Sequence, residues 1–159
     1  MTNEQFTGAA ARYIDTVFRV AYNYIKSVSD ADDVTQNVFL KLLKQTKPFE
    51  SEDHLKHWLI RVTVNECRNL MRSRWWRQPS YEEYAQSLTF ENPAHSELFY
   101  AVMELPAKYR LPIYLHYYEG YTTAEIGHLL HIPKNTVCTN LKRGRELLKE
   151  KLQEAKDDV

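Results

Sequence analysis

This 159-residue sequence predicts an all-α fold of two small helical modules, on three observations. Apolar residues recur at three- and four-residue steps over long stretches, the period of an amphipathic helix. Glycine (4) and proline (6) are scarce, which leaves too few turns for a many-stranded β architecture. One interior segment, "QPSYEEYAQSLTFENPAHSE" (78–97), breaks the pattern with two prolines, four acids (Glu82, Glu83, Glu91, Glu97) and no Lys or Arg. That composition reads as a flexible acidic tether between modules. An apolar content of 43% is enough for a packed core on either side of it.

Residues 5–26 read as the first helix, with Phe6, Ala10, Tyr13, Ile14, Val17, Phe18, Ala21 and Tyr24 at helical spacing. Ser29 or Asp30 suits the N-cap of a second helix, and Asp32 and Asp33 suit the positive end of its dipole. That helix runs to about Gln45, with Val34, Val38, Phe39 and Leu42 inward. "KPFESEDH" is a loop leading into a third helix, about 53–74, buried through Leu55, Trp58, Leu59, Val62, Cys67 and Leu70. The expected organisation is a module over 1–77, a linker over 78–97, a second module over 98–153 and a tail over 154–159. Pro106 and Gly120 punctuate the second module.

No apolar run approaches the roughly 18 residues needed to cross a membrane. The first residues carry Arg12 and Asp15 where a signal peptide needs an apolar stretch, so a cytoplasmic protein without membrane insertion is expected. Cys67 and Cys138 stand far apart and outside any C-x-x-C spacing, which predicts free thiols. The net charge is zero, from 21 basic and 21 acidic residues. The charges are nevertheless segregated. Arg68, Arg72, Arg74 and Arg77 occur with no acid among them and are interleaved with Trp75 and Trp76. Lys134, Lys142, Arg143, Arg145, Lys149 and Lys151 outnumber Glu146 and Glu150. Acids gather at 30–33, at 50–53, in the tether and in the tail.

The stretch "TAEIGHLLHIPKNTVCTNLKRGRELLKEKL" has the spacing of a helix-turn-helix. Ile126, Leu129 and Leu130 anchor a short first helix, and Gly127 permits close crossing. The turn needs a residue tolerant of positive φ, and His131 occupies that place instead of glycine. Pro133 suits a first helical position. Val137, Leu141 and Leu148 face inward, and Gly144 allows close packing. Asn135, Thr136, Thr139, Asn140, Lys142 and Arg143 remain on outward or flanking positions. Asn suits adenine in a major groove, while Lys and Arg suit guanine or phosphate. A plain helical hairpin with a solvated basic side has the same pattern. The Arg/Trp patch is chemically different: arginine handles phosphate, and exposed aromatics stack on unpaired bases. The competing account is tryptophan packing at a helix end.

Taken in order, these segments resemble the small extracytoplasmic-function (ECF) group of bacterial RNA polymerase sigma factors, of the sigma-70 family. "SDADDVTQNVFLKLLKQ" looks like region 2.2. "HLKHWLIRVTVNECRNLMRSR" looks like regions 2.3 and 2.4, with Trp58, Leu59, Val62, Asn65 and Arg72 at matching places. "ELPAKYRLPIYLHYYEGYTTAEIGHLLHIPKNTVCTNLKRGRELLKEKL" looks like region 4.

The resemblance implies a set of partners. Asp30, Asp32, Asp33, Gln36 and Asn37 would meet core RNA polymerase at the β′ clamp helices, and region 4 would meet the β flap. Arg61, Asn65, Arg68, Arg72, Arg74, Trp75 and Trp76, with the loop "PFESEDH", would engage the opened −10 promoter element and capture a flipped base. Asn135, Thr136, Thr139, Asn140, Lys142 and Arg143 would read the −35 element as duplex. A cognate anti-sigma factor, often membrane-bound in this family, is a further candidate partner. This sequence departs from the family where Cys138 and Asn140 replace frequent cations, Asn135 a frequent Gly and Gly144 a frequent Ala. Glu66 is an acid close to the −10 side, suited to packing, capping or rejecting a phosphate.

His54/His57 and His128/His131 lack the companion ligands of a zinc site, so no metal is expected. No phosphate loop, nucleophile elbow or paired-carboxylate motif occurs, so neither enzyme chemistry nor a cofactor is expected. Two other functions fit parts of the pattern: a stand-alone dimeric helix-turn-helix regulator, and an interaction adaptor that binds no DNA.

Overall fold

The computed structural model describes residues 1–73 and 93–157, apart from the side chains of 93–96, Ala155 and Asp157. Every regular element among the described residues is a helix, and the chain falls into two compact units, Met1–Pro79 and Ser80–Val159. No described helix is long and apolar enough to cross a membrane.

The N-terminal unit is three helices: α1 (Asn3–Ile25), α2 (Val28–Leu43) and α3 (Glu52–Ser73), each packed on the other two. α1 starts in a capping box. Thr2 Oγ1 accepts the Gln5 N–H at 3.1 Å, and Gln5 Oε1 accepts the Thr2 N–H at 2.9 Å. Lys26 then takes the left-handed conformation (φ 60°) and turns the chain without glycine. Ser27 caps α2, its Oγ accepting the Asp30 N–H at 3.3 Å. The cap is therefore neither Ser29 nor Asp30, because the tight turn at Lys26 lets the helix begin earlier.

Val17, Val20, Ala21, Val34, Val38, Leu42, Leu59, Ile60 and Val64 form the core. The apolar face of α1 is rotated from the one the spacing suggested: Ile14 is exposed, while Ala9 and Val20 are fully buried. Three- and four-residue steps fit two adjacent faces of α1, and contact with α2 and α3 selects between them. Buried hydroxyls are satisfied within their own helices, Thr35 donating to the Ala31 carbonyl (2.7 Å) and Thr63 to that of Leu59 (2.6 Å).

The C-terminal unit contains α4 (Pro93–Glu104), α5 (Ala107–Ile113), α6 (Thr123–Leu130) and α7 (Lys134–Asp157). α4 begins N-terminal of Leu98. α5 runs on into a π-helical turn, Tyr114–Tyr118. Pro112 lies inside this segment and has no N–H to give to the preceding turn, and the wider winding follows directly after it. Arg110 is buried and donates to the Leu105 carbonyl at 2.5 Å, tying α5 back to the end of α4. Gly120 (φ 77°) makes the turn after the π segment. α7 is the spine of the unit, in contact with α4, α5 and α6. Lys151 pairs with Glu104 (2.8 Å) across α7 and α4.

Candidate nucleic-acid interface

The helix-turn-helix is built by α6 and α7. A second capping box opens α6, with Thr122 Oγ1 accepting from Glu125 N (3.2 Å) and Glu125 Oε1 from Thr122 N (3.1 Å). Ile126, Leu129 and Leu130 are buried. His131 adopts the left-handed conformation (φ 56°, ψ 43°), as the turn requires. Gly127 is where the two helices approach. A Cβ there would lie 2.8 Å from the Ile132 carbonyl oxygen, so only glycine fits undisturbed. α7 starts at Lys134. Pro133 stands one place before it and accepts the first helical N–H groups, from Thr136 (3.0 Å) and Val137 (3.1 Å). Val137 and Leu141 are buried and Leu148 is half-buried.

Opposite that buried edge, Asn135, Thr136, Thr139, Lys142 and Arg143 are exposed, and Asn140 is half-buried on the flank. Thr139 Oγ1 donates to the Asn135 carbonyl at 3.0 Å. Arg143 pairs with Glu146 (3.4 Å), so its charge is shared before any ligand arrives. Arg145 belongs to the basic run of this helix but not to the six residues expected at the −35 element. It is exposed, and it donates to the Tyr117 hydroxyl at 3.0 Å, linking α7 to the π turn. Cys138 is exposed on this helix.

In the N-terminal unit, Arg61, Asn65, Arg68 and Arg72 recur at four-, three- and four-residue steps and so lie along one stripe of α3. Arg61 and Arg72 are exposed, Asn65 and Arg68 half-buried. Arg74, Trp75, Trp76 and Arg77, the rest of the Arg/Trp patch, lie outside the described residues. Glu66 forms an ion pair with Lys41 of α2 and is mostly covered, so it joins two helices. Cys67 is in the core, where burial, and then the charge of Glu66, push its thiol far above the usual range.

The loop before α3 is ordered by side chains. Ser51 Oγ accepts the His54 N–H (3.1 Å), and His54 Nδ1 accepts the Glu50 N–H (3.0 Å). Glu52 binds α1 with both oxygens, accepting from Arg12 Nη2 at 3.1 Å and from the Tyr13 hydroxyl at 2.7 Å. Burial, and then this carboxylate, raise the Tyr13 pKa. Between the loop and the start of α1 lies a cavity of about 440 Å³, lined by Gly8, Arg12, Lys47, Phe49, Glu52 and Leu55 among others.

α2 carries a different surface. Asp32, Asp33, Gln36 and Asn37 are exposed together. Asp30 is not among them: it is 5% exposed, because the helix starts at Val28 and turns this position inward. Leu40 and Leu43 continue the exposed stripe, each 53% exposed. The sequence signal for them was available, since apolar residues stood four and seven places after Gln36 on the polar side.

Comparison with known proteins gives these surfaces a common setting. The model of sigma-70 region 2 matches residues 9–77, and that of sigma-70 region 4 matches residues 95–148. The chain is 26% identical to the ECF RNA polymerase sigma factor SigW of Bacillus subtilis, over 89% of this chain and 86% of that protein. It is 27% identical to the ECF RNA polymerase sigma-E factor of Escherichia coli, over 93% and 86%. Its fold is similar to that of the sigma factor RpoE of Bartonella quintana, solved in complex with the anti-sigma factor NepR. The TM-score is 0.72 at 20% identity, over 94% of this chain and 98% of that one. It is also similar to CnrH, solved with the cytosolic domain of CnrY (TM-score 0.65, 21% identity, covering 96% and 90%). With both family regions matched in order along the sequence, the chain belongs to the sigma-70 family of RNA polymerase sigma factors, in its extracytoplasmic-function group.

Proposed function

We propose that this ECF sigma factor, which acts in transcription initiation, divides its work among three surfaces. The exposed stripe of Asp32, Asp33, Gln36 and Asn37 on α2 docks on the β′ clamp helices of core polymerase. Complementary charge there sets register and association rate. The α3 stripe of Arg61, Asn65, Arg68 and Arg72, with Arg74, Trp75 and Trp76 following it, engages the opened −10 element, and the loop cavity takes up an unpaired base. The flipped base loses a few kcal/mol of stacking, which contacts in the cavity offset. Asn135, Thr136, Thr139, Asn140, Lys142 and Arg143 of α7 read the −35 element as duplex, and the C-terminal unit also meets the β flap.

One observation carries this division: each unit has its own basic face, Arg61, Arg68 and Arg72 along α3 in one and Lys142 and Arg143 on the outer side of α7 in the other. It also accounts for the zero net charge, which sums these faces with acids placed elsewhere. The protein works in the cytoplasm, and an anti-sigma factor is proposed as its restraint. Support comes from the RpoE relative bound to NepR.

The test is run-off transcription with core polymerase, with and without this protein, on a genomic promoter library. Promoter-specific transcripts that depend on the protein are expected. Their absence, together with no binding to core, would overturn the proposal.

A further inference from the structure

The loop before α3 is closed by an uncommon device. In the usual capping box, a Glu or Gln three residues after the N-cap reaches back to the backbone. Ser51 is the N-cap here, and the residue three places on is His54. Its Nδ1 accepts the Glu50 N–H at 3.0 Å, so the proton of the neutral ring sits on Nε2. An imidazole adds what a carboxylate lacks, a flat ring. That ring stands edge-on to Phe49, with centroids 5.3 Å apart and planes at 77°. Phe49 meets Trp58, one turn further along α3, at 5.5 Å and 66°. Phe49 also lines the cavity between the loop and α1. The aromatic wall of that cavity is therefore held between His54 and Trp58.

We infer that His54 is a positioning residue for capture of the melted promoter strand. It holds Phe49 and the Glu50 backbone as a preformed wall on which an unpaired base stacks. The inference rests on the reading of the N-terminal unit as the −10 binder. A wall already fixed loses little side-chain freedom when the base arrives, so more of the stacking energy appears as affinity. His54 acts through Phe49 and needs no contact with the base.

The test uses holoenzyme reconstituted from core polymerase and the full chain. Two probes come from a promoter recovered in the run-off selection: a fluorescent single-stranded oligonucleotide of its non-template −10 segment, and a duplex of its −35 segment. His54→Ala is expected to weaken oligonucleotide binding about tenfold, the combined size of one hydrogen bond and one aromatic contact. Duplex affinity should stay at the wild-type value. His54→Gln keeps an acceptor for Glu50 but no ring, and His54→Phe keeps a ring but no acceptor; both should fall between. If wild-type holoenzyme ignores the oligonucleotide, the −10 reading fails, and this inference with it. If wild type binds and His54→Ala binds equally well, the inference alone is overturned. Equal losses on both probes would mean general destabilisation and would overturn it. Full wild-type behaviour of His54→Gln would reduce His54 to an ordinary cap and would overturn it as well.

Discussion

The two units hold their candidate DNA faces by different means. In the C-terminal unit the backbone sets the geometry: Gly127 lets α7 cross α6, His131 supplies the left-handed turn, and Gly144 lets α7 lie against Ile113. In the N-terminal unit side chains do it. Ser51 and His54 close the loop, Phe49 packs between rings, and Glu52 is bound by Arg12 and Tyr13. A backbone-defined helix suits a duplex, whose groove has a set shape. A side-chain-defined cradle suits an unpaired strand, whose bases are accommodated one at a time.

The hardest blow to this contrast falls at Gly127. Gly127→Ala gains about 1 kcal/mol of helix propensity. Its Cβ, however, would lie 2.8 Å from a carbonyl oxygen, and backbone atoms cannot rotate away. We expect a net loss of about 2 kcal/mol in the C-terminal unit, with duplex binding reduced more than tenfold and −10 oligonucleotide binding unchanged. Denaturant unfolding read by probes in each unit checks this. Unchanged unfolding of the C-terminal unit would show that the crossing has slack.

The helix proposed to dock on polymerase offers the next largest effect. Asp32 and Asp33 are exposed in the second turn of α2, beyond the first-turn reach of the helix dipole, so their removal costs the helix no more than about 0.3 kcal/mol each. The fold should therefore survive Asp32→Ala with Asp33→Ala, while affinity for core falls about tenfold, mainly through association rate and less at high salt. Leu40→Ala should act instead on the dissociation rate, because an apolar contact does not steer encounter. Unchanged core affinity in the double variant would refute the clamp-helix assignment.

How much of this was legible in the sequence depended on how local the cause was. The all-helical fold, the inward residues of α2 and the buried anchors of α6 and α7 follow from periodicity and were readable. The left-handed His131 was readable from the turn around it. The burial of Asp30 was not, because Ser27, Ser29 and Asp30 are all suitable caps, and the choice of Ser27 follows a left-handed Lys26 that its side chain does not advertise. The Lys41–Glu66, Glu52–Tyr13 and Arg145–Tyr117 contacts join different helices, and periodicity within one helix carries no signal for them.

Within α7 the contrast can be sharpened. Lys142 is fully outward and Asn140 is half-buried on the flank. Lys142→Ala should weaken duplex binding a few-fold on every sequence and reduce the slope of log K against log salt by about 1. Asn140→Ala should relax preference at one base pair and leave the slope alone. Binding to a panel of single-base −35 variants at several salt concentrations separates the two. If both substitutions act alike, phosphate and base contacts are not divided this way.

Gly144→Ala should have the smallest effect, although distance alone ranks it worse than Gly127→Ala. The new Cβ would lie 2.5 Å from Ile113 Cδ1, closer than the carbonyl at Gly127. What it meets is the free end of a side chain, which can change rotamer, and the helix gains about 0.5–1 kcal/mol when alanine replaces glycine. The two effects should cancel to within about 1 kcal/mol. A loss as large as that of Gly127→Ala would mean Ile113 is locked in place. Side-chain packing would then set the C-terminal unit's geometry as firmly as the backbone does, and the contrast between the units would narrow to the turn itself.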